Sequence, residues 1–168
     1  MSNPNEQFGP LYDQYIDKIY RFVYLKVNST ETAEDITSKV FLKGFEAYKK
    51  GPEIKNMGAF LYQIARNNVT DYYREKGKAT MVSPDHVPEI VDSKENVHER
   101  VMFNAELEGV KKAILGLKKE YQDVLILHYL EDMKTEEIAQ IVGRPAGTVR
   151  VMIHRGLEAL KGQFSQEV

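Results

Sequence analysis

Arg150 and His154 stand one helical turn apart, and Arg155 and Lys161 add charge around them. An arginine so placed can donate two hydrogen bonds to a guanine edge in a DNA major groove. A second group lies upstream. At about 100° per residue, Tyr62, Arg66, Asn67, Thr70, Tyr73 and Arg74 gather on one side of a helix. Rings on such a face stack on unpaired bases while cations follow the phosphates. The same face also fits a plain solvated surface whose tyrosines pack on a neighbouring helix. No nucleophile–base pair, phosphate-cradling glycine loop or metal-ligand spacing is present, so we expect no catalytic residue, no metal, no cofactor and no enzyme.

The stretch that must position Arg150 is Thr135–Arg155, which reads as two short helices joined by a tight turn. Thr135 can cap the first helix, and Glu136 and Glu137 put negative charge on its first turn, where the helix dipole favours it. Ile138, Ile141 and Val142 form its apolar stripe. Gly143 stands where a helix closes in a left-handed residue. Pro145 fits the first turn of the next helix, where its missing N–H is not needed. Val149, Met152, Ile153, Leu157 and Leu160 give that helix a buried side. This is the spacing of a helix-turn-helix, although any helical hairpin with a glycine turn shares part of it.

The chain has 168 residues, enough for one ordinary domain or two small ones. It has no cysteine, which excludes disulfides and thiolate zinc sites. No apolar run approaches the roughly 20 residues that span a membrane, and the polar start MSNPNEQFGP lacks a signal-peptide layout. We therefore expect a soluble cytoplasmic protein with no membrane insertion. The formal charge of −2 is unusual for a chain that binds DNA alone, and suggests that a partner supplies part of the affinity.

In order, the chain reads as almost wholly helical. Residues 8–27 carry a broad stripe of Leu11, Tyr12, Tyr15, Ile16, Ile19, Tyr20, Phe22 and Val23. Asn28-Ser29-Thr30 breaks it and offers a cap. The next helix, 31–50, turns Ala33, Ile36, Val40, Phe41, Gly44 and Phe45 inward. Asp35, Ser38, Lys39, Leu42 and Lys43 fall on the other side. Leu42 among those charges fits a partner surface or an ordinary exposed leucine. Gly51-Pro52 ends the helix. A third helix, 57–76, has Phe60, Leu61, Ile64, Ala65, Val69 and Tyr72 on its apolar side.

Periodicity is lost from Gly77 to about Asn96, where Ser83-Pro84 and Pro88 mark a linker. From Met81 to Ala105, Asp85, Glu89, Asp92, Glu95 and Glu99 outnumber Lys94 and Arg100. The segment suits a plain spacer, or an acidic strand lying in a partner's basic channel. His86 and His98 have no companion ligands. A second module begins near Val97, with stripes of Val101, Leu107, Val110, Ala113, Ile114 and Leu117, then Tyr121, Val124, Leu125, Leu127, Leu130 and Met133. His128 among these reads as a core or helix-side histidine.

Four stretches together carry a resemblance: AEDITSKVFLKGFEA (Ala33–Ala47), FLYQIARNNVTDYYR (Phe60–Arg74), LKKEYQDVLILHYLEDMKTEEIAQIVG (Leu117–Gly143) and RPAGTVRVMIHRGLEALK (Arg144–Lys161). Over nearly its whole length the chain resembles bacterial RNA polymerase sigma factors of the extracytoplasmic-function group. The resemblance implies an all-α fold of two small helical domains joined by a flexible acidic linker, the second ending in a helix-turn-helix. Residues 1–78 would form the first domain, 79–96 the linker and 97–168 the second domain. It implies a chain that binds core RNA polymerase at the clamp and flap, directs it to promoters and supports melting. The core-binding residues would be Asp35, Ser38, Lys39, Leu42 and Lys43.

The single-stranded minus-ten element would be met by Lys55, Asn56, Tyr62, Arg66, Asn67, Asp71 and Arg74. Tyr72 is a weaker candidate because it lies on the apolar side. Arg150, Val151, His154 and Arg155 would read the duplex minus-thirty-five element, with Arg144 and Thr148 on phosphates near the helix start. An anti-sigma factor is the implied regulatory partner. Ser38 and Lys39 stand where the family often has Gln and an acid, Val151 and Met152 stand where a Ser-Arg pair is common, and the stretch through Lys78 is less arginine-rich than in many members. A dimeric helix-turn-helix operator-binding regulator is the alternative reading; it would bind duplex DNA without polymerase.

Overall fold

The computed structural model describes residues 4–51, 54–79 and 105–166. Seven α-helices and one π-helical turn account for the regular structure of those residues, with no strand among them. The chain divides into two compact units, Met1–Glu99 and Arg100–Val168. The all-α architecture expected from periodicity is the one found. The segment 80–104, which holds most of the expected linker together with His86, His98, Val97 and Val101, lies outside the described residues.

The first unit is a three-helix assembly of α1 (Pro4–Tyr24), α2 (Thr30–Lys49) and α3 (Met57–Ala79), each packed on the other two. Ser29 caps α2, its Oγ accepting the Thr32 N–H at 3.1 Å. Asn56 does the same for α3, its Oδ1 accepting the Ala59 N–H at 3.0 Å. Both satisfy donors that a helix start leaves without an internal partner. Ile19, Phe22 and Val23 of α1, Val40 of α2 and Leu61, Ala65 and Val69 of α3 fill the centre. Each large aliphatic or aromatic side chain so buried stabilises the fold by about 1.5–3 kcal/mol. Gly44 lets α3 approach α2, because a Cβ there would stand 2.7 Å from Leu61 Cδ2. The third helix does not stop where periodicity fades; it runs through Gly77 to Ala79.

The buried arc of α3 is rotated from the one its hydrophobic stripe predicts. Phe60, Ile64 and Tyr72 are only half-buried, while Tyr62 and Asn68 are buried. Because α1 and α2 both cover α3, its inward arc is wider than a single stripe and takes in residues with polar atoms.

The second unit contains α4 (Ala105–Leu115), α5 (Lys119–Leu125), α6 (Thr135–Val142) and α7 (Ala146–Gln166). α5 continues as a π-helical turn over Ile126–Leu130, closed by the Glu131 N–H on the Ile126 carbonyl at 3.0 Å. His128 is half-buried, with Nδ1 3.1 Å from the Met133 carbonyl, as suits a helix-side histidine. On α4 the expected stripe is also displaced: Ile114 is buried, but Val110 is exposed and Lys111 is fully buried.

Candidate nucleic-acid and polymerase interface

In the second unit, Gly143 sits at φ 69°, ψ 36°, and closes α6 with its N–H on the Ala139 carbonyl. That is the left-handed closure expected from a glycine at this position. Two details of the turn differ from expectation. Thr135 is the first helical residue and not the cap; the cap position belongs to Lys134, whose side chain makes no capping bond. Pro145 precedes α7 and offers its carbonyl to the Val149 N–H at 3.0 Å. Its fixed φ still serves the helix start.

The two sides of α7 separate cleanly. Val149, Met152, Ile153 and Gly156 are buried. At Gly156 the helices close up, with Leu125 and Tyr121 of α5 within 3.2–3.3 Å of where a Cβ would be. Leu157 and Leu160, expected on the buried side, are half-buried. Thr148, Arg150, Val151, His154 and Arg155 are exposed along one side, and Arg144 is exposed in the turn ahead of them. The structure thus brings together all six residues assigned to the minus-thirty-five element. Arg150 Nη2 pairs with Glu136 Oε1 across the turn at 3.3 Å. His154 Nε2 stands 3.2 Å from Glu158 Oε1.

In the first unit, Lys55, Asn56, Asn67, Asp71 and Arg74 are exposed and Arg66 is half-buried. Asp71 and Arg74 pair loosely at 4.0 Å. Tyr62 does not belong with them. It is 0% exposed, with its ring edge-on to Phe22 at 5.6 Å, so it has no face for a base to stack on. Tyr73 is also drawn inward: its hydroxyl donates to the Lys26 carbonyl, and burial pushes its pKa up to about 12. The aromatic part of the expected base-stacking face is therefore mostly structural.

On α2, Asp35, Ser38, Lys39, Leu42 and Lys43 are all exposed, as expected of a docking face, and Leu42 is 58% exposed. Asp35 and Lys39 pair at 3.2 Å one turn apart. A groove of about 460 Å³ runs between α2 and α3, lined by Asp35, Lys39 and Lys43 on one side and Asn68, Asp71 and Tyr72 on the other. Asn68 and Glu136 were missed by sequence reasoning. Asn68 hides inside an apolar arc, and Glu136 meets Arg150 from fourteen positions away.

These features define a helical protein with a helix-turn-helix in one unit and, in the other, an exposed charged face that carries Leu42. The family description Sigma-70 region 2 matches residues 11–79, and Sigma-70 region 4 matches residues 107–160. The chain belongs to the sigma-70 family of RNA polymerase sigma factors, in its extracytoplasmic-function group.

Among its relatives, SigW of Bacillus subtilis is 29% identical over 168 residues, covering 95% of this chain and 89% of that one. BldN of Streptomyces coelicolor is 27% identical over 156 residues, covering 92% of this chain, which spans only 59% of BldN's length. The fold is also that of the sigma factor RpoE from Bartonella quintana, solved with the anti-sigma factor NepR. That structure has a TM-score of 0.77 and 20% identity, with 95% of this chain and 98% of that chain covered. CnrH, solved with the cytosolic domain of CnrY, gives a TM-score of 0.71 at 17% identity, covering 96% and 89%.

Proposed function

We propose that this chain is an alternative sigma factor that binds core RNA polymerase, directs it to specific promoters and supports melting and initiation. The observation that carries the proposal is the helix-turn-helix of α6 and α7, with Arg150, Val151, His154 and Arg155 exposed on the side of α7 opposite its packing. Those residues read the minus-thirty-five duplex, with Arg144 and Thr148 on phosphates. Lys55, Asn56, Arg66, Asn67, Asp71 and Arg74 meet the unpaired minus-ten strand. The exposed α2 face of Asp35, Ser38, Lys39, Leu42 and Lys43 docks on the polymerase clamp, and the flap meets the second unit. An anti-sigma factor is the natural competitor for these faces.

The mechanism follows from charge. Phosphate neutralisation drives most non-specific DNA affinity, and a chain of net charge −2 has few cations to spare. Mounting both modules on one large partner raises the effective concentration of each at its own element. The free chain then binds DNA weakly, and the holoenzyme binds promoters well. No helix among the described residues is long and apolar enough to cross a membrane, and the chain works in the cytoplasm with polymerase.

The test is run-off transcription with purified bacterial core polymerase, with and without the protein, on promoter fragments from its genome. Initiation that requires the protein, at starts sharing two spaced elements, supports the proposal. A footprint on duplex DNA alone, with no association with core, would replace it with the operator-binding regulator.

A further inference from the structure

Arg150 has a carboxylate partner within its own motif. Its Nη2 is held at 3.3 Å from Glu136 Oε1, on the other helix of the motif. Glu136 stands in the first turn of α6, and its carboxylate lies below the usual carboxylate range. The first cause is a hydrogen bond from its own backbone N–H; burial opposes it, and the Thr135 hydroxyl, Arg150 and Lys134 add smaller lowering effects. The carboxylate is therefore a charged acceptor beside the recognition helix across the physiological pH range.

A guanidinium is a rigid planar fork with five N–H donors. Binding one of them to a neighbouring carboxylate narrows the orientations of the fork and leaves other N–H groups for a base edge. We propose that Glu136 is a positioning residue, holding the Arg150 guanidinium in one orientation so that its remaining donors meet a single base pair of the upstream element. The inference rests on the reading of Arg150 as a base contact. It adds a second effect. A carboxylate on this face repels phosphates, so it lowers affinity for every sequence alike while its hold on Arg150 favours one sequence. Glu136 thus acts on selectivity and not on raw affinity.

The experiment uses holoenzyme on a promoter from which it initiates, and on that promoter with each upstream-element base pair substituted in turn. Binding is measured for the unaltered protein, Glu136→Ala, Glu136→Gln, Arg150→Ala and the double variant Glu136→Ala/Arg150→Ala. Glu136→Ala is expected to lower the cognate-to-substituted ratio by about three- to tenfold at one position, the scale set by ordering one long side chain. Affinity for unrelated DNA should hold or rise. Glu136→Gln keeps an acceptor oxygen and should recover part of the ratio. In the Arg150→Ala background, removing Glu136 should leave the ratio unchanged.

An unchanged ratio in Glu136→Ala, or an equal fall with Arg150 absent, overturns the positioning role while leaving Arg150 as a base contact. If Arg150→Ala itself weakens all sequences equally, the base-reading assignment fails and the positioning role falls with it. Thermal unfolding of Glu136→Ala, expected to show only the small loss of a first-turn acid, separates both outcomes from loss of fold.

Discussion

Lys43 Nζ donates to Asn68 Oδ1 at 2.9 Å, tying α2 to α3 across the polar groove between them. Asn68 is only 8% exposed, and it lines the same groove as Lys43. Lys43 is therefore both a surface cation of the expected polymerase face and a strut of the three-helix unit. Lys43→Ala should cost about 1 kcal/mol, the net loss of one part-buried hydrogen bond. Amide hydrogen exchange should show the loss in α2 and α3. A polymerase-binding defect in this variant must be read against that change, whereas Leu42→Ala is expected to weaken polymerase binding without altering exchange.

Arg150→Ala is expected to weaken recognition of the upstream element by about 1–3 kcal/mol, the range for a bidentate base contact. The loss should concentrate at one base pair. Promoter competition with single-position variants checks it, and a uniform loss would mark a phosphate contact.

Tyr62 and Asn67 are five positions apart and should behave in opposite ways. Tyr62→Ala empties a fully buried ring site against Phe22 and should cost about 3–5 kcal/mol, lowering polymerase binding and melting together. Asn67 is exposed, and Asn67→Ala should impair melting or downstream-element choice while polymerase binding stays intact. Permanganate reactivity of open complexes and a pull-down with core separate the two.

Lys111 makes a pH prediction. It is fully buried, and burial lowers its pKa from 10.5 to about 8, with Glu108 opposing the shift. The unfolded chain holds the proton more tightly than the folded one. Stability of the second unit should therefore rise as pH climbs from about 8 to 10.5, by up to about 1.4 kcal/mol per pH unit. Lys111→Met should flatten that rise in denaturation series taken across the window, and should be at least as stable as the parent at pH 7.

Asp132 adopts φ 55°, the left-handed region, without being glycine. Aspartate and asparagine tolerate this better than most residues, and branched side chains tolerate it least. Asp132→Val should cost about 1–2 kcal/mol, and Asp132→Asn should be nearly neutral in thermal unfolding.

The helix-turn-helix was legible because its signals are local and agree with one another. Gly143 sets the turn, Ile138 and Ile141 set one stripe, and Val149 and Ile153 set the next. The first unit was legible as three helices but not in their rotation. On α3 the periodic stripe included Phe60 and Ile64, yet packing on two neighbours turned Tyr62 and Asn68 inward instead. A hydrophobic stripe reports the direction of one interface, and a helix covered from two sides has no single direction. The burial of Lys111 beside an exposed Val110 fails for a related reason: tertiary packing fixed the phase of α4 against its apolar pattern. The Glu136–Arg150 pair carries no sequence signal, because long-range ion pairs leave no periodicity.

The division of α7 into packing positions and exposed positions bears on how such proteins diversify. Val149, Met152, Ile153 and Gly156 answer to the core, while Val151, His154 and Arg155 are exposed and make no part of it. Substitutions in the second set leave the hydrophobic packing untouched, so duplicated copies can drift to new promoters without crossing an unstable intermediate. Arg150 is the exception. It is paired with Glu136 on another helix, so if that carboxylate positions it, paralogues should inherit the two positions as a pair.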